Sequence, residues 1–227
     1  MGFLIAISFL TLIPVPVKHP VSAENLARSM FFFPFVGVAI GVVLAALRNL
    51  LLIFSLQPQV TAVLLVATLL ILTRGLHIDG LADTADALFA VGKSRQERLR
   101  IMKEPNIGAM GAASVMLLLL LKVALLGALP DGRENALLVT FPAVGRCAMI
   151  PPVLLLKPAH PQSSTVVFTL HFKKRYGVAI ILLTAVIMVL LLSTEGGVSF
   201  LFTLLVTTGV AAILARPFGG ITGDLLG

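Results

Sequence analysis

Asp79, Asp83 and Asp86 place three carboxylates within eight residues of a chain that has only ten acidic residues among 227. On a helix turning about 100° per residue they fall inside an arc of about 60°. The spacings i, i+4 and i+7 thus line one stripe, where like charges repel and weaken an isolated helix. A divalent cation with oxygen ligands offsets that repulsion, and Mg²⁺ or Mn²⁺ suits carboxylates. Three such ligands can serve one ion, or two bridged ions that clamp an attacking and a leaving oxygen. The chemistry this favours is transfer of a phosphoryl-type group, whose charge needs a cation and nearby basic residues. The plainer reading is a solvated acidic face, against which the scarcity of acids elsewhere in the chain weighs.

Other polar residues extend the pattern. His77 lies two residues before Asp79, roughly on the opposite side of a helix, where it either touches substrate or bonds a neighbouring carbonyl. Gly75 and Gly80 permit close backbone approach or tight helix packing. Arg146 falls in the middle of an apolar run; such an arginine is expensive and faces an interior partner, either an aspartate of the stretch or a phosphate. Lys122, also within an apolar run, can snorkel to a surface. A second polar island, Gly219 to Asp224 (G-G-I-T-G-D), allows a backbone turn close to a ligand, with oxygens from Thr222 and Asp224. His19, His160 and His171 show no regular spacing and take no role.

The elements that must position these groups are membrane helices. The chain is 58% hydrophobic and 12% charged, with mean hydropathy +1.06, whereas a soluble domain is about 25% charged. The reading is all-α: one polytopic integral membrane domain over residues 1–227, with about six transmembrane helices behind a short N-terminal interfacial helix stopped by Pro14. Spans are expected near 31–54, 60–73, 111–129, 136–156, 177–194 and 198–215. The fourth is kinked by Pro142 and Pro151-Pro152, and the last two are joined at Glu195 to Gly197. The aspartate stretch follows the second span at once and reads as its continuation past the bilayer. Residues 92–104 form an amphipathic basic segment with Leu99, Ile101 and Met102 on lipid. Cys147 is the sole cysteine, which excludes an intramolecular disulfide and leaves packing as its role.

Thirteen of the seventeen Lys and Arg fall on the side that carries the N-terminus, the aspartates and Asp224, and only Arg133 on the other. That asymmetry puts the acidic stretch on the cytoplasmic face. The net charge of +7 then suits anionic lipid and a phosphate-bearing substrate, not nucleic acid.

These residues resemble the adenosylcobinamide-GDP ribazoletransferase (cobalamin 5′-phosphate synthase) family over nearly the whole chain. The likeness runs through Phe9 to Pro16 (F-L-T-L-I-P-V-P), Glu24, Arg28, Phe33, Pro34 and Gly37. It is most specific at Gly75 to Asp86 (G-L-H-I-D-G-L-A-D-T-A-D). Arg98, Ile101 to Gly111 (I-M-K-E-P-N-I-G-A-M-G), Arg146 and the run ending at Asp224 complete it. The resemblance implies a Mg²⁺-dependent enzyme of the bacterial inner membrane, with Mn²⁺ as a substitute. A ribose hydroxyl of α-ribazole or its 5′-phosphate attacks the β-phosphorus of adenosylcobinamide-GDP and GMP leaves. Asp79, Asp83, Asp86 and Asp224 then read as metal ligands, and Asp86, His77 and Arg146 as catalytic. Glu24, Arg28, Gly75, Gly80, Arg98, Lys103, Gly220 and Thr222 read as substrate-binding, and a homo-oligomer is possible. Departures from the family pattern are Leu12 for a common Arg, Ala87 for Gly, and Glu104-Pro105-Asn106 for Asp-Ser-Arg. The family pattern also continues past the position of Gly227 with an acidic motif and one more apolar helix.

Two other classes share parts of this signature. A CDP-alcohol phosphotransferase of lipid synthesis uses aspartates on a helix in a similar way, but its D-x-x-D-G-x-x-A-R run is missing here. A transporter would place Arg146 and Lys122 along a pathway, yet no inverted repeat is visible.

Overall fold

A computed structural model describes residues 1–15, 21–161, 163 and 165–227; Pro16, Lys18 and His19 lie outside the described residues. Among these the chain is helical, and the one β-type pairing is an isolated parallel bridge between Pro158 and Ile221. In order come α1 (Gly2–Leu10), α2 (Ala23–Ser29), a 3-10 turn (Met30–Phe32), α3 (Phe33–Leu52), α4 (Pro58–Thr73), α5 (Leu76–Phe89) and α6 (Arg95–Ile101). Then follow α7 (Ala109–Gly127), α8 (Glu134–Ala148), α9 (Ile150–Leu155), α10 (Thr165–His171), α11 (Lys174–Leu214) and α12 (Gly223–Leu226).

Four helical stretches are long and apolar enough to cross a membrane: Ala23–Leu52, Ala109–Gly127, Glu134–Leu155 and Lys174–Leu214. The pair α4 and α5 passes only jointly, across an 88° bend. At about 1.5 Å per residue α11 would stretch to about 60 Å, twice a bilayer core. It does not, because Ser193 (φ 62, ψ −163) breaks it. A Cβ on Gly196 would lie 2.6 Å from the Met188 carbonyl oxygen, so the chain doubles back. Gly177 at one end meets Leu154 of α9, and Leu214 at the other lines a cavity with Asp224, so both arms return to the same end of the bundle. The reversal therefore falls at Ser193, not at Glu195 to Gly197, which begin the second arm. The helical membrane bundle read from the sequence is the one observed.

The centre of the bundle is the antiparallel pair α3 and α8, its most extensive helix contact. Small residues make it close: a Cβ on Gly37 would fall 2.5 Å from Ala143 Cα, and one on Gly41 2.5 Å from the Leu138 carbonyl. This is the small-residue packing that membrane helices use where lipid offers no hydrophobic gain. Phe33, Leu44, Leu138, Ile150 and Phe200 are fully buried around it. At the end away from the aspartates, Arg48 pairs with Glu134 at 2.6 Å and Arg133 with Glu195 at 2.5 Å. α8 and α9 make one span, Glu134–Leu155, and Met149 between them keeps right-handed helical backbone (φ −70, ψ −20), so no sharp break marks the proline-rich stretch.

Two elements differ from their sequence reading. The aspartate helix is not a continuation of α4, because Arg74 (φ 52) and Gly75 (φ 67) both take left-handed backbone and turn the chain. Two successive left-handed residues cannot continue a right-handed helix, and the glycine bears its share without a Cβ penalty. In the basic segment, Met102 is buried and Leu99 and Ile101 pack with it against Ala87, Ala159 and Phe218, so that face is a small core, not a lipid contact.

Candidate active site

The 88° bend turns α5 away from α4 and packs it on α7 and α12, so one helix offers its aspartates to several neighbours. Against its first turns lies α12: a Cβ on Gly80 would fall 2.6 Å from the Asp224 carbonyl oxygen, and this position has to be glycine for the two backbones to touch. The approach brings Asp224 into the aspartate group. Burial, then the charges of Asp79, Asp224 and Asp86 in that order, push the Asp83 carboxyl up to about 6. Burial and the Asp79 charge also raise Asp224. Among the described residues every ion pair uses a glutamate, and none of these four aspartates has a cationic partner. Such an uncompensated group of carboxylates is the donor set of a hard cation. No three His, Cys, Asp or Glu among the described residues already stand in a ligating arrangement.

Asp86 is held differently. Its two oxygens accept the N–H groups of Gly108 at 2.6 Å and Gly111 at 2.7 Å, which caps the start of α7 from another helix. A carboxylate there meets the positive end of the helix dipole. Both glycines are needed for the contact, since a Cβ on either would collide with the carboxylate.

The tail is held by backbone bonds to residues 157–159. Ile221 N–H donates to the Lys157 carbonyl and Ala159 N–H to the Ile221 carbonyl, each at 2.8 Å. Gly220 (φ 153) lies so close to this segment that a side chain would strike it. Thr222 turns its hydroxyl inward to accept Leu225 N–H at 3.1 Å as the cap of α12.

Three cavities meet at Asp224. The first, about 420 Å³, lies between α4, α5, α7 and α8 and is lined by His77, Thr84, Lys122 and Arg146 among apolar residues. The second, about 260 Å³, is lined by Phe9, Phe33 and Phe168 beside His77 and Asp79. Its rings are mutually packed, Phe9 on Phe33 with centroids 5.7 Å apart. The third, about 200 Å³, carries Lys103, His160 and Thr222. His77 thus stands between the first two cavities, in the second beside Asp79, despite their opposite positions on an ideal wheel. Burial, then Arg146 and Lys122, lower its imidazole to about 4, so it is neutral at pH 7.

The structure brings together Asp79, Asp83, Asp86, Asp224, His77, Arg146 and Gly80, with Lys103, Thr222 and Gly220 at the third cavity or its flank. The remaining residues proposed for substrate line none of the three cavities. Glu24 and Arg28 pair with each other at 3.7 Å on an exposed turn of α2. Arg98 donates to the carbonyls of Ala87 at 2.6 Å and Leu88 at 2.5 Å, and so caps the end of α5. Gly75 shapes the bend. Sequence reasoning missed Thr84 and underrated Lys122. Thr84 lies midway in the aspartate stretch, but nothing in its type distinguishes it from a packing residue.

A helical membrane bundle with a group of aspartates beside cavities lined by His77, Lys122 and Arg146 defines a class, that of integral membrane proteins with a polar site among their helices. Within that class, the model of the family described as cobalamin-5-phosphate synthase matches residues 2–227, and the chain belongs to that family. It is similar to the adenosylcobinamide-GDP ribazoletransferase of Pseudomonas fluorescens (strain SBW25), 32% identical over 227 residues, covering 100% of this chain and 93% of the relative. The relatives of the same name from Pseudomonas syringae pv. syringae (strain B728a) and Geotalea daltonii are 34% and 36% identical. These cover 100% and 99% of this chain, and 93% and 90% of the relatives. No solved structure matches. The chain is accordingly a transferase of cobalamin biosynthesis.

Proposed function

We propose that this enzyme joins adenosylcobinamide-GDP to α-ribazole, or to its 5′-phosphate, in the bacterial inner membrane. The observation that carries the reading is a pair of unbalanced charge groups. Among the described residues Asp79, Asp83 and Asp224 have no cationic partner, and Arg146 and Lys122, which line the first cavity, have no anionic one. A metal–phosphate pair neutralises both. Asp79, Asp83 and Asp224 would hold Mg²⁺, or Mn²⁺ in its place; when bound, the ion supplies charge neutralisation on the transferred phosphoryl group. Arg146 holds a phosphoryl oxygen from the opposite side. The aromatic second cavity suits the flat base of the ribazole. A ribose hydroxyl of a ribazole bound there would face His77, whose neutral imidazole would accept the proton as the hydroxyl oxygen bonds the β-phosphorus. The bond from that phosphorus to the GMP oxygen breaks, and GMP leaves. Asp86 keeps the helix that bears these groups docked on α7.

The positive-inside asymmetry supports a cytoplasmic site, with lipid around the bundle and no nucleic acid partner. The purified protein, given both substrates, is expected to release GMP only with a divalent cation. Asp79→Asn and Asp83→Asn should each lower the rate by about 100-fold or more without lowering the melting temperature. Full cation-dependent activity in both variants overturns the metal assignment. Uptake of corrinoid into vesicles without GMP release favours a transporter instead.

A further inference from the structure

We infer that the first cavity is an oxyanion subsite built from Arg146, Lys122 and Thr84, which takes a phosphoryl group from within the bundle. Arg146 is 5% exposed. One of its nitrogens donates to the Pro142 carbonyl of its own helix at 3.1 Å, while Nε and Nη2 have no partner. The Thr84 hydroxyl is likewise buried without a partner. Lys122 lines the same cavity, and among the described residues no carboxylate reaches ion-pair distance of it or of Arg146. The remaining wall is mostly apolar, including Leu69, Leu118 and Phe141.

An unpaired guanidinium in such surroundings is costly, and membrane proteins keep one only where a ligand or partner offsets the cost. The two free donors of a guanidinium form a fixed fork that matches two oxygens of one phosphoryl group. A carboxylate ligand fits less well, because Lys122 and the Thr84 hydroxyl supply further donors and two oxygens leave them unused. Asp224 at the rim repels a bare anion and so favours one that also carries a cation on that side. The subsite rests on the phosphoryl-transfer reading for what delivers the group. Two sources share the chemistry: the diphosphate of the nucleotide substrate and the phosphate of a membrane lipid.

The test uses the full chain in detergent with a chelator present, so that it does not depend on the metal site. Inorganic diphosphate is expected to raise the wild-type melting temperature by at least about 3 °C. Lys122→Met should weaken that response at least about tenfold in diphosphate concentration. If Lys122→Met does not fold, Thr84→Val carries the same comparison. A wild-type response lost in the variant supports the subsite with the nucleotide diphosphate as its source. No response to diphosphate, but anionic phospholipid retained by the wild type in native mass spectrometry and lost from the variant, supports the subsite with a lipid source. Neither result, or a variant that behaves as wild type, overturns the proposal. Asp79→Asn should keep the diphosphate response while losing GMP release; a wild type that binds diphosphate but releases no GMP with both substrates and a divalent cation would count against the phosphoryl-transfer reading and leave the subsite standing.

Discussion

The contact between Asp86 and the start of α7 can be broken from either side, and the two breaks must not add. Each of its hydrogen bonds joins a charged acceptor and is worth about 1.5–3 kcal/mol. Gly111 is buried and has no substitute partner, whereas Gly108 is exposed and can turn to water. Counting the first in full and the second lightly, Asp86→Ala should cost about 2–4 kcal/mol. At about 2–4 °C per kcal/mol for a chain of this length, the melting temperature falls by about 4–16 °C. Gly111→Ala attacks the same contact from α7, since its Cβ would collide with the carboxylate and sit 2.9 Å from the Ala82 carbonyl. Once either change has parted α5 from α7, the other has little left to remove. The double variant should therefore cost scarcely more than the worse single, a coupling of about 2 kcal/mol. Far-UV circular dichroism of the detergent-solubilised protein reads all four melting points. Additive losses, or an Asp86→Ala variant within about 1 °C of wild type, would show that the carboxylate does not tie the helices and would refute the reasoning.

Gly80→Ala should reduce GMP release at least about tenfold while changing the melting temperature little, because its Cβ pushes α12 and with it Asp224 off the aspartate helix; comparison of rate and melting point checks this. Arg48→Leu should do the reverse. It strips Glu134 of a partner 2.6 Å away and should lower the melting temperature with KM unchanged, since the pair lies at the other end of the bundle. The carboxyl of Asp83, raised to about 6, binds a proton more tightly folded than unfolded. Its contribution to stability is full below about pH 4 and is lost as pH rises through about 6. Mg²⁺ favours the ionised form, so melting curves should show a larger stabilisation by Mg²⁺ at about pH 7.5 than at about pH 5.

The spans were legible because apolar runs in lipid leave the backbone no alternative to helix. The aspartate stripe was legible because like charges at helical spacing need an explanation. Its orientation was not. Nothing in R-G-L-H announces that a non-glycine, Arg74, takes left-handed backbone ahead of Gly75, so the stripe reads as a straight continuation of α4. Arg98 shows a second limit. An arginine near an acidic stretch suggests phosphate, but its spacing to the end of α5 lets it serve two orphan carbonyls. The glycines of the N-I-G-A-M-G run were visible as a motif, yet their purpose depends on a carboxylate more than twenty residues earlier. Long-range approach of that kind leaves no periodic trace.

The bend also explains why the site's charges do not cancel one another. On a straight extension of α4 the aspartates would leave the bundle and face water, where each is cheaply solvated and selects nothing. Turned from α4, α5 carries Asp79 and Asp83, and α12 packed on it sets Asp224 at the rim of the cavity that Arg146 and Lys122 line, with no ion pair between the two groups among the described residues. Had Asp224 instead paired directly with Arg146, the free protein would gain a buried ion pair, and a substrate would have to break it before binding. Kept apart, the two groups each retain a desolvation cost that only a ligand removes. A bare anion relieves Arg146 and Lys122 but meets Asp224, and a bare cation relieves the aspartates alone. On the proposed reading a cation-bearing phosphate would relieve both sides at once, and the uncompensated state of the free site would itself discriminate in favour of the metal–phosphate form.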